Sequence, residues 1–373
     1  MAQALRLAAY GLGKTSPNPP VGAVVARGGR VLGAGYHRHA GGPHAEVFAL
    51  RQAGAKARGA TLYITLEPCC HLDKRTPPCV PLILKSGIER VVVATADPNP
   101  QVRGRGISAL RRGGLQVEVG TDRFEAERLI EAYSSRITTG YPFVTLKIAA
   151  TLDGKIATSR GESRWITGVS ARRAVRKLRA ASDAILVGIG TVLADDPSLT
   201  ARKDQSRSAN PLRIILDPIL RIPLQAKVLT DGKARTLLVT TGASPKKKRE
   251  LLERRGAEVL VLPDDGGRVD WKIVLTLLRR RGLNALLIEG GAEVNASALH
   301  SGVVDRVIYF LAPKLLGGTD AVGAIGGSSP ARLSDALELD DVTVSRVGDD
   351  MVVTGRVRPG KKRPSRRPRG GRV

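Results

Sequence analysis

The sequence predicts an α/β protein with two domains. Its 373 residues are more than one domain of ordinary size needs. Apolar segments of strand length alternate with segments of helical periodicity throughout, which is the pattern of α/β folds. The alternation is interrupted near residues 138–142 and then starts again, so we place the domain boundary there.

In the first half, periodicity and turn residues predict an α/β sandwich built on one mixed sheet. The predicted helices cover residues 2–10, a segment beginning near His44, and residues 81–86, 107–112 and 122–136. The predicted strands cover residues 21–26, 31–36, 61–66, 90–96 and 115–119.

The second half shows the same alternation and predicts a second α/β domain. Its predicted strands cover residues 143–150, 185–190, 212–216, 236–240, 259–262, 285–288 and 304–311. Its predicted helices cover residues 170–181, 246–255, 269–281 and 292–299, and we expect Ser170 to cap the first of them. No G-x-G-x-x-G turn follows the first strand, which argues against an ordinary Rossmann site.

The first half contains a motif typical of catalytic zinc sites. It reads His44-Ala45-Glu46, followed later by Cys69 and Cys79. One imidazole and two thiolates supply three ligands to a tetrahedral zinc and leave the fourth position for a water. Zinc lowers the pKa of such a water to about 7. Glu46, two residues beyond the histidine, can carry the proton to a leaving amine, as in zinc deaminases.

Other ligand choices are open at this stage. Cys70 and His71 compete with Cys69, which we prefer because it follows Glu67-Pro68 directly at the end of a strand. Cysteines in such a chain can also be small buried apolar residues without any metal. The combination of the H-x-E motif, the Pro-Cys pair and a second cysteine nevertheless favours zinc catalysis over a structural or absent metal.

The formal charge of +26 would ordinarily suggest nucleic acid as a partner. Nine basic residues and no acidic ones lie in residues 356–373, a Pro- and Gly-rich segment that we expect to be disordered. This tail could attract RNA or other anions, but we favour a solvated extension without a role in the chemistry. We therefore expect no nucleic-acid partner, while the basic body suits phosphorylated substrates.

The sequence predicts a cytoplasmic protein. No apolar run approaches the roughly 20 residues of a membrane span. The N-terminal residues lack the apolar region and cleavage site of a signal peptide. The three cysteines all lie in the zinc motif, which fits a reducing compartment better than a disulfide framework.

Several further residues have two interpretations each. Asn18, placed between prolines, could hydrogen-bond the amide edge of a base or simply form a turn. Trp165 could stack on a flat ring or lie in the core. Arg179 and Arg202 could bind a sugar phosphate or belong to a solvated face. The turn Glu289-Gly290-Gly291 could present backbone amides to a phosphate or serve only the geometry of the chain.

Motifs in both halves together resemble one enzyme family. In the first half they are Thr15-Ser16-Pro17-Asn18-Pro19, His44-Ala45-Glu46, Thr65-Leu66-Glu67-Pro68-Cys69 and Arg75-Thr76-Pro77-Pro78-Cys79. In the second half they are residues 147–154, Trp165-Ile166-Thr167, residues 190–197 and Glu289-Gly290-Gly291. In this order they resemble the bifunctional deaminase/reductase family of riboflavin biosynthesis over nearly the whole chain except the tail.

The resemblance implies a cytidine-deaminase-like three-layer sandwich in residues 1–140 and a dihydrofolate-reductase-like domain in residues 141–358, followed by the tail at 359–373. It implies zinc-dependent hydrolytic deamination of 2,5-diamino-6-(5-phosphoribosylamino)pyrimidin-4-one. NADPH-dependent reduction of the ribosyl group to ribityl would follow and give 5-amino-6-(5-phosphoribitylamino)uracil. The expected cofactors are one Zn²⁺ per deaminase site and NADPH. We also expect a homo-oligomer, whose size the sequence does not set.

The resemblance also implies roles for individual residues. Zinc would be bound by His44, Cys69 and Cys79, the proton carried by Glu46, and the deaminase substrate contacted by Asn18, His37 and Arg75. The reductase substrate would be contacted by Ser163, Arg179, Leu199, Arg202 and Glu289, with Lys147 as a catalytic residue near the reacting centre. NADP would be contacted by Ala149, Trp165, Thr191, Asp195 and the run Gly291, Ala292, Glu293, Val294, Asn295, Ala296 and Ser297.

The chain departs from the family pattern at Cys70, where serine is usual. The loop between the two cysteine motifs is also one residue longer than the common form, which bears on the position of Arg75. Two other functions are compatible with parts of the sequence. An RNA deaminase would explain the zinc motif and the tail but not the second set of motifs. The second is a binding protein in which the zinc is structural and the second domain senses a nucleotide. The sequence also allows an enzyme of which only one half is active.

Overall fold

Two α/β units, Met1–Tyr141 and Pro142–Val373, make up the chain in the computed structural model. The structure describes residues 1–71, 76–201, 210–263 and 269–358. Both units have the predicted mixed α/β fold class, and each is described here by itself.

The first unit is built on a five-stranded sheet with the order β2-β1-β3-β4-β5. Its strands are β1 Gly22–Arg27, β2 Arg30–Tyr36, β3 Thr61–Ile64, β4 Arg90–Val93 and β5 Gln116–Val119. Its helices are α1 Ala2–Ala9, α2 Ala45–Ala53, α3 Cys79–Lys85, α4 Arg105–Arg112, α5 Arg123–Leu129 and α6 Glu131–Thr139, with a 3₁₀ turn at Gly54–Ala57. Strand β1 is antiparallel to both β2 and β3, whereas β3, β4 and β5 are parallel. The sheet is therefore mixed, as the sequence predicts.

Glycines let two helices lie unusually close to this sheet. A Cβ atom on Gly22 would lie 2.0 Å from the carbonyl oxygen of Ala4 in α1, and one on Gly33 would lie 2.1 Å from that of Ala49 in α2. Since real atoms cannot approach so closely, only glycine permits this packing. The alanines that α2 turns toward the sheet complete the contact. The start of α2 is thereby fixed against β1 and β2.

The second unit is built on a nine-stranded sheet with the order β11-β10-β9-β8-β12-β6-β13-β16-β15 within the described residues. Its strands are β6 Phe143–Thr151, β8 Ala184–Gly188, β9 Leu212–Leu216, β10 Thr236–Thr241, β11 Glu258–Leu262, β12 Ala285–Ile288, β13 Arg306–Ala312, β15 Leu339–Val347 and β16 Asp350–Val357. The short strands β7 Lys155–Ala157 and β14 Val322–Gly323 form a separate pair. Its helices are α7 Val169–Ala180, α8 Ile189–Asp195, α9 Lys227–Thr230, α10 Lys246–Arg254, α11 Trp271–Arg280 and α12 Ala292–His300, with a 3₁₀ turn at Leu333–Asp335.

The seven strands from β11 to β13 are parallel, and β16 is antiparallel to both of its neighbours, β13 and β15. In the middle of the sheet, β12 lies between β8 and β6, and Ile185, Val187 and Leu287 belong to the buried core there. Because parallel strands end at the same edge, the residues that follow β8 and β12 come close together. This edge of the sheet positions Glu289, which follows β12, and the helix after β8 that contains Thr191 and Asp195.

The predicted helix over residues 122–136 is wrong as a single element. It divides at Ile130, whose backbone has φ −94° and ψ 7°, into α5 and α6. The Ile130 side chain packs with Leu66 and Tyr133 in a buried cluster. The break is thus anchored in the core, a contact that local periodicity does not reveal.

Two predicted boundaries in the second unit are also wrong. The strand expected at 185–190 ends at Gly188, and α8 follows it at once. Ser170 lies inside α7 and does not cap it, because the helix begins one residue earlier, after Gly168. The N–H of Gly168 donates to Asp350 Oδ2 at 2.8 Å, a partner 182 positions away in sequence.

The C-terminal hairpin β15–β16 is missing from the sequence prediction, as is the small pair β7–β14. Arg356 and Val357, which we assigned to the tail, belong to β16. Arg358 forms ion pairs with Glu338 and Asp340 of the neighbouring segment. Residues 359–373 lie outside the described residues.

Candidate active sites in the two units

Three potential metal ligands meet in the first unit. The ligand atoms of His44, Cys69 and Cys79 all lie within 4.8 Å of one another. His44 is the residue before α2, and Cys79 is the first residue of α3. The His44 Nδ1 atom lies 3.2 Å from Cys79 Sγ and 3.5 Å from Cys69 Sγ.

This arrangement fits a tetrahedral zinc. Ligand atoms at ordinary zinc distances from one ion lie about 3.5 Å apart, as the histidine nitrogen and the sulfurs do here. The Cys69 sulfur also accepts the N–H of Cys79 at 3.4 Å. Within the described ranges, the ligand cluster contains Cys69 and neither Cys70 nor His71, so the geometry favours the preferred choice.

Cys69 is held in place by its own backbone. Its carbonyl oxygen accepts the N–H groups of Cys79 and Val80 at 3.1 and 3.3 Å. The two cysteines are therefore fixed relative to each other at the start of α3, whatever the conformation of the loop that joins them.

Glu46 lies on the first turn of α2 and is only 3% exposed. Burial raises the pKa of its carboxyl group, and the charge of the nearby Cys69 raises it further. The carboxyl group is also hydrogen-bonded to the Cys79 side chain. A hydrogen bond with Cys69 raises the pKa of the Cys79 thiol as well, and burial adds to this. Ionised thiols and a carboxylate can share this buried space only with a cation, which is what zinc would supply.

His37 and Asn18 form a second layer around the cluster. The His37 ring stands edge-on to that of His44, with ring centres 5.2 Å apart. Its Nε2 atom lies 3.1 Å from the Asn18 amide nitrogen, and its Nδ1 atom lies 3.0 Å from the Pro43 carbonyl oxygen. These partners match a neutral ring in which Nδ1 donates to the carbonyl oxygen and Nε2 accepts from the amide N–H. Burial also lowers the pKa of His37. The Asn18 backbone also closes a turn to Thr15, so its two interpretations are compatible.

Sequence reasoning missed the role of Glu67 in this site. Its buried carboxylate accepts four backbone N–H groups, from Asp97, Gly104, Gly106 and Ile107, at 2.9 to 3.1 Å. These hydrogen bonds attach the segment that leads into α4 to Glu67, which lies two residues before Cys69 in the sequence. The only sequence feature that could indicate this anchoring role is an acidic residue directly before a Pro-Cys pair.

In the second unit, Lys147, Arg179 and Glu289 form a buried ionic group. Arg179 makes a bidentate pair with Glu289, with distances of 2.6 and 3.0 Å. Lys147 Nζ, on β6, lies 3.8 Å from Glu289 Oε2. Burial lowers the pKa of Lys147. Burial opposes ionisation of Glu289, but Arg179 and Lys147 outweigh it and hold the pKa of Glu289 below its usual value.

A second polar group lies around Asp195, at the end of α8. Ser163 donates a hydrogen bond to Asp195 Oδ1 at 2.7 Å. Trp165 is 62% exposed, so the alternative that it belongs to the core is wrong. Arg172 lies over the Trp165 ring at 4.4 Å, and Lys314 Nζ donates to the Trp165 carbonyl oxygen at 2.8 Å. Trp165 therefore presents a flat, electron-rich surface from a well-held backbone.

The starts of α8 and α12 lie side by side. Gly291 precedes α12, and a Cβ atom added to it would lie 3.7 Å from Thr191 Oγ1 of α8. Within α12, however, Asn295 and Ala296 are buried, and the Asn295 side chain donates to the Ala324 carbonyl oxygen at 2.8 Å. The rest of the run expected to contact the cofactor, Ala292, Glu293, Val294 and Ser297, spans the first two turns of the same helix.

Of four further residues expected in the sites, two lie in the described part of the second unit. Ala149 lies two positions beyond Lys147 on β6 and so shares its face of the sheet. Leu199 is buried in the core and has a left-handed backbone with φ +47°, so its side chain does not face a ligand. Arg75 and Arg202 lie outside the described residues.

Comparison with known proteins finds a deaminase family in the first half of the chain and a reductase family in the second half. The family model described as the cytidine and deoxycytidylate deaminase zinc-binding region matches residues 1–95. The model of the RibD C-terminal domain matches residues 142–353. The chain is 45% identical to the riboflavin biosynthesis protein RibD of Aquifex aeolicus (strain VF5) over 353 residues, which are 95% of this chain and 96% of that protein. It is 40% identical to RibD of Escherichia coli (strain K12) over 365 residues, covering 95% and 97%.

Solved structures of RibD proteins are similar to this chain over nearly its whole length. Form 1 of Acinetobacter baumannii RibD has a TM-score of 0.83 at 37% identity, covering 96% of this chain and 97% of that one. The Thermotoga maritima diaminohydroxyphosphoribosylaminopyrimidine deaminase/5-amino-6-(5-phosphoribosylamino)uracil reductase has a TM-score of 0.80 at 37% identity and the same coverage. The chain belongs to the RibD family of riboflavin biosynthesis proteins.

Membership of the RibD family confirms the predicted fold class and type of function. The chain is a bifunctional enzyme of riboflavin biosynthesis, with a zinc-binding deaminase domain followed by a reductase domain that uses NADPH. In the part of the chain that the structure describes, no helix is both long enough and apolar enough to cross a membrane.

Asp97, near the Glu67 anchor, should make the stability of the first unit depend on pH. Burial raises its pKa to about 6, whereas an unfolded aspartate titrates near 3.9. The folded state therefore binds this proton more tightly, and its stabilising contribution is lost as pH rises through 6. Relative to wild type, Asp97→Asn should gain about 1 kcal/mol in free energy of unfolding between pH 5 and pH 8. Urea unfolding at both pH values measures this change, and an unchanged difference would contradict the assignment.

Proposed function

We propose that the two residue groups described above are the two active sites of this RibD-family enzyme. In this proposal the deaminase domain is residues 1–140 and the reductase domain is residues 141–358, with 359–373 as a tail. The first site would remove the 2-amino group of 2,5-diamino-6-(5-phosphoribosylamino)pyrimidin-4-one. The second would then reduce the ribosyl group of the product to ribityl. The observation that supports this most strongly is the cluster of three potential metal ligands beside the buried Glu46.

In the first site, His44, Cys69 and Cys79 would hold zinc, which when bound supplies an activated water at neutral pH. Glu46 is assigned the proton transfer, because its buried carboxyl group lies beside the three proposed ligands and is hydrogen-bonded to the Cys79 side chain, where it can accept a proton and return it. The returned proton goes to the leaving amino nitrogen, so that ammonia departs.

Asn18 and His37 are assigned to substrate binding in the first site. The Asn18 amide nitrogen is used by His37, which leaves the Asn18 amide oxygen to accept an N–H from the pyrimidine edge. A neutral His37 fixes the orientation of that amide without adding a positive charge. Arg75 is proposed as a further substrate contact on the motif alone.

In the second site, reduction of the ribosyl group needs a hydride at C1 and a proton on the oxygen that leaves C1. NADPH supplies the hydride when bound. Lys147 is assigned the proton, since burial lowers its pKa and Glu289 holds its ammonium group in place. Arg179 fixes Glu289 and retains other N–H groups for the substrate.

The remaining assignments in the second unit follow the family motif. Ser163, Leu199, Arg202 and Glu289 are proposed as substrate contacts, with Leu199 acting through its backbone because its side chain is buried. Thr191, Asp195, Trp165, Ala149 and the residues of Gly291–Ser297 are proposed as NADP contacts. The paired starts of α8 and α12 support this, because helix N-termini bind phosphate groups well. For Asn295 and Ala296, burial of the side chains limits any contact to the backbone.

Two matched substitutions separate the sites. Glu46→Gln should lower the deamination rate by about two to four orders of magnitude, because the proton carrier is lost, and should leave reduction unchanged. Glu289→Gln should lower reduction and leave deamination unchanged. Deamination is followed as ammonia release, and reduction as NADPH oxidation with the aminouracil nucleotide supplied directly. Full deamination by Glu46→Gln would indicate a structural zinc and would contradict the proposal.

We also propose that the protein is a cytoplasmic homo-oligomer and that its second unit supplies the interface. Several large apolar side chains are exposed in one C-terminal stretch, namely Leu315, Leu333, Leu337, Val342 and Val344, with Leu333 92% exposed. The last two lie on β15, which is an edge strand of the large sheet. Exposed apolar surface of this extent is typical of protein interfaces.

The interface proposal predicts that charge on β15 lowers the molecular mass in solution. Val342→Asp combined with Val344→Asp should yield a smaller species in light scattering, because two buried carboxylates would destabilise the contact. Val261→Asp, on the opposite edge strand and similarly exposed, is the matched control and should keep the mass of the wild type. An unchanged mass in the double variant would place the interface elsewhere.

A further inference from the structure

The imidazole of His44 has polar neighbours at both of its ring nitrogens. Its Nδ1 atom faces the two cysteine sulfurs, at 3.2 and 3.5 Å. Its Nε2 atom lies 3.2 Å from the hydroxyl oxygen of Thr76. A neutral imidazole carries one N–H, so only one of the two nitrogens can offer a lone pair to a metal.

The position of the thiols decides which nitrogen this is. Zinc held by Cys69 and Cys79 must take the lone pair of the His44 Nδ1 atom, because that atom faces them. The proton then resides on Nε2, where the Thr76 hydroxyl oxygen can accept it in a hydrogen bond. Metal-binding histidines generally donate their other N–H in this way, and loss of the acceptor weakens metal binding.

Thr76 is placed for this contact by the chain that follows it. The next two residues are prolines, which restrict the backbone, and α3 begins immediately after them with Cys79. Pro78 has φ −63° and ψ 146° and precedes the helix. One short and stiff segment therefore carries both a metal ligand and the hydroxyl that contacts another ligand.

We propose that Thr76 is a positioning residue of the zinc site. By accepting a hydrogen bond from His44 Nε2, it holds the imidazole in the tautomer whose Nδ1 lone pair points at Cys69 and Cys79, and so increases zinc affinity. This inference rests on the proposed assignment of those three residues as ligands. The His37 ring confines His44 from another side, so loss of the Thr76 hydroxyl should weaken zinc binding without displacing the ring.

The test measures zinc affinity of the full-length protein by competition with a chromophoric chelator. Thr76→Val removes the hydroxyl while keeping the shape, and it should raise the Kd for zinc by about 10- to 100-fold. Thr76→Ser keeps the hydroxyl and should stay within about threefold of wild type. NADPH-dependent reduction by the second unit, measured on the aminouracil nucleotide, should be equal in all variants and reports that the second unit is folded, and unchanged urea unfolding of the first unit reports that the first unit is folded.

Different results would contradict the assignment of the zinc ligands and the positioning role of Thr76. If His44→Ala binds zinc as tightly as wild type, the assignment of the site itself is wrong. If His44→Ala loses zinc but Thr76→Val binds it like wild type, the site stands and the role of Thr76 is wrong. A Thr76→Ser variant as weak as Thr76→Val would likewise contradict a hydroxyl-based role.

A second measurement on the wild-type protein does not depend on any variant folding. Nitrogen-15 NMR of the zinc-loaded protein, labelled at histidine, identifies the protonated ring nitrogen of His44. The proposal predicts a proton on Nε2 that exchanges slowly with solvent. A proton on Nδ1, with Nε2 bound to the metal, would overturn it.

Discussion

The proposed zinc site depends on bringing one imidazole and two thiols together from three separate segments of chain. Each segment is fixed by backbone contacts that leave little freedom. The helix that follows His44 is pressed against the sheet at Gly33, where no side chain fits. Cys69 and Cys79 are joined through the Cys69 carbonyl oxygen. The ligands are therefore positioned by the fold, and the metal need not gather them from a flexible loop.

Buried charges are compensated by different groups in the two units. Isolated charges are expensive to bury, and they persist only with a partner or a metal. In the second unit the partners are protein groups, since Glu289 lies between Arg179 and Lys147. In the first unit, Glu46 and the two thiols have the same sign when ionised, so the compensating charge must be a cation. This difference agrees with a zinc-binding deaminase domain followed by a reductase domain.

Much of the fold could be predicted because its signals are local. Apolar runs between turn residues gave the central strands of both sheets, and the spacing of His44, Cys69 and Cys79 gave the composition of the metal cluster. The errors arise where a distant residue decides the structure. Asp350 sets the start of α7, and a core contact of Ile130 divides the helix expected at residues 122–136. The anchoring role of Glu67 was missed for the same reason, because its four partners lie 30 or more positions away.

The C-terminal hairpin escaped prediction for a different reason. Most of β15 is exposed, and its apolar and polar residues alternate over only four positions, 342–345, which is too short a run to indicate a strand of nine residues. Its pairing with β16 rests on backbone hydrogen bonds, which any sequence can form. The same exposure is what makes this strand a candidate for contact with a second copy of the chain.

We propose that both sites work and that they act one after the other on the same pyrimidine nucleotide. The most direct measurement follows ammonia release and NADPH oxidation together, on the purified, zinc-replete protein supplied with the diaminopyrimidine nucleotide. We expect ammonia to appear first and one NADPH then to be oxidised for each ammonia released. Ammonia release without NADPH oxidation, or no ammonia at all, would contradict this expectation.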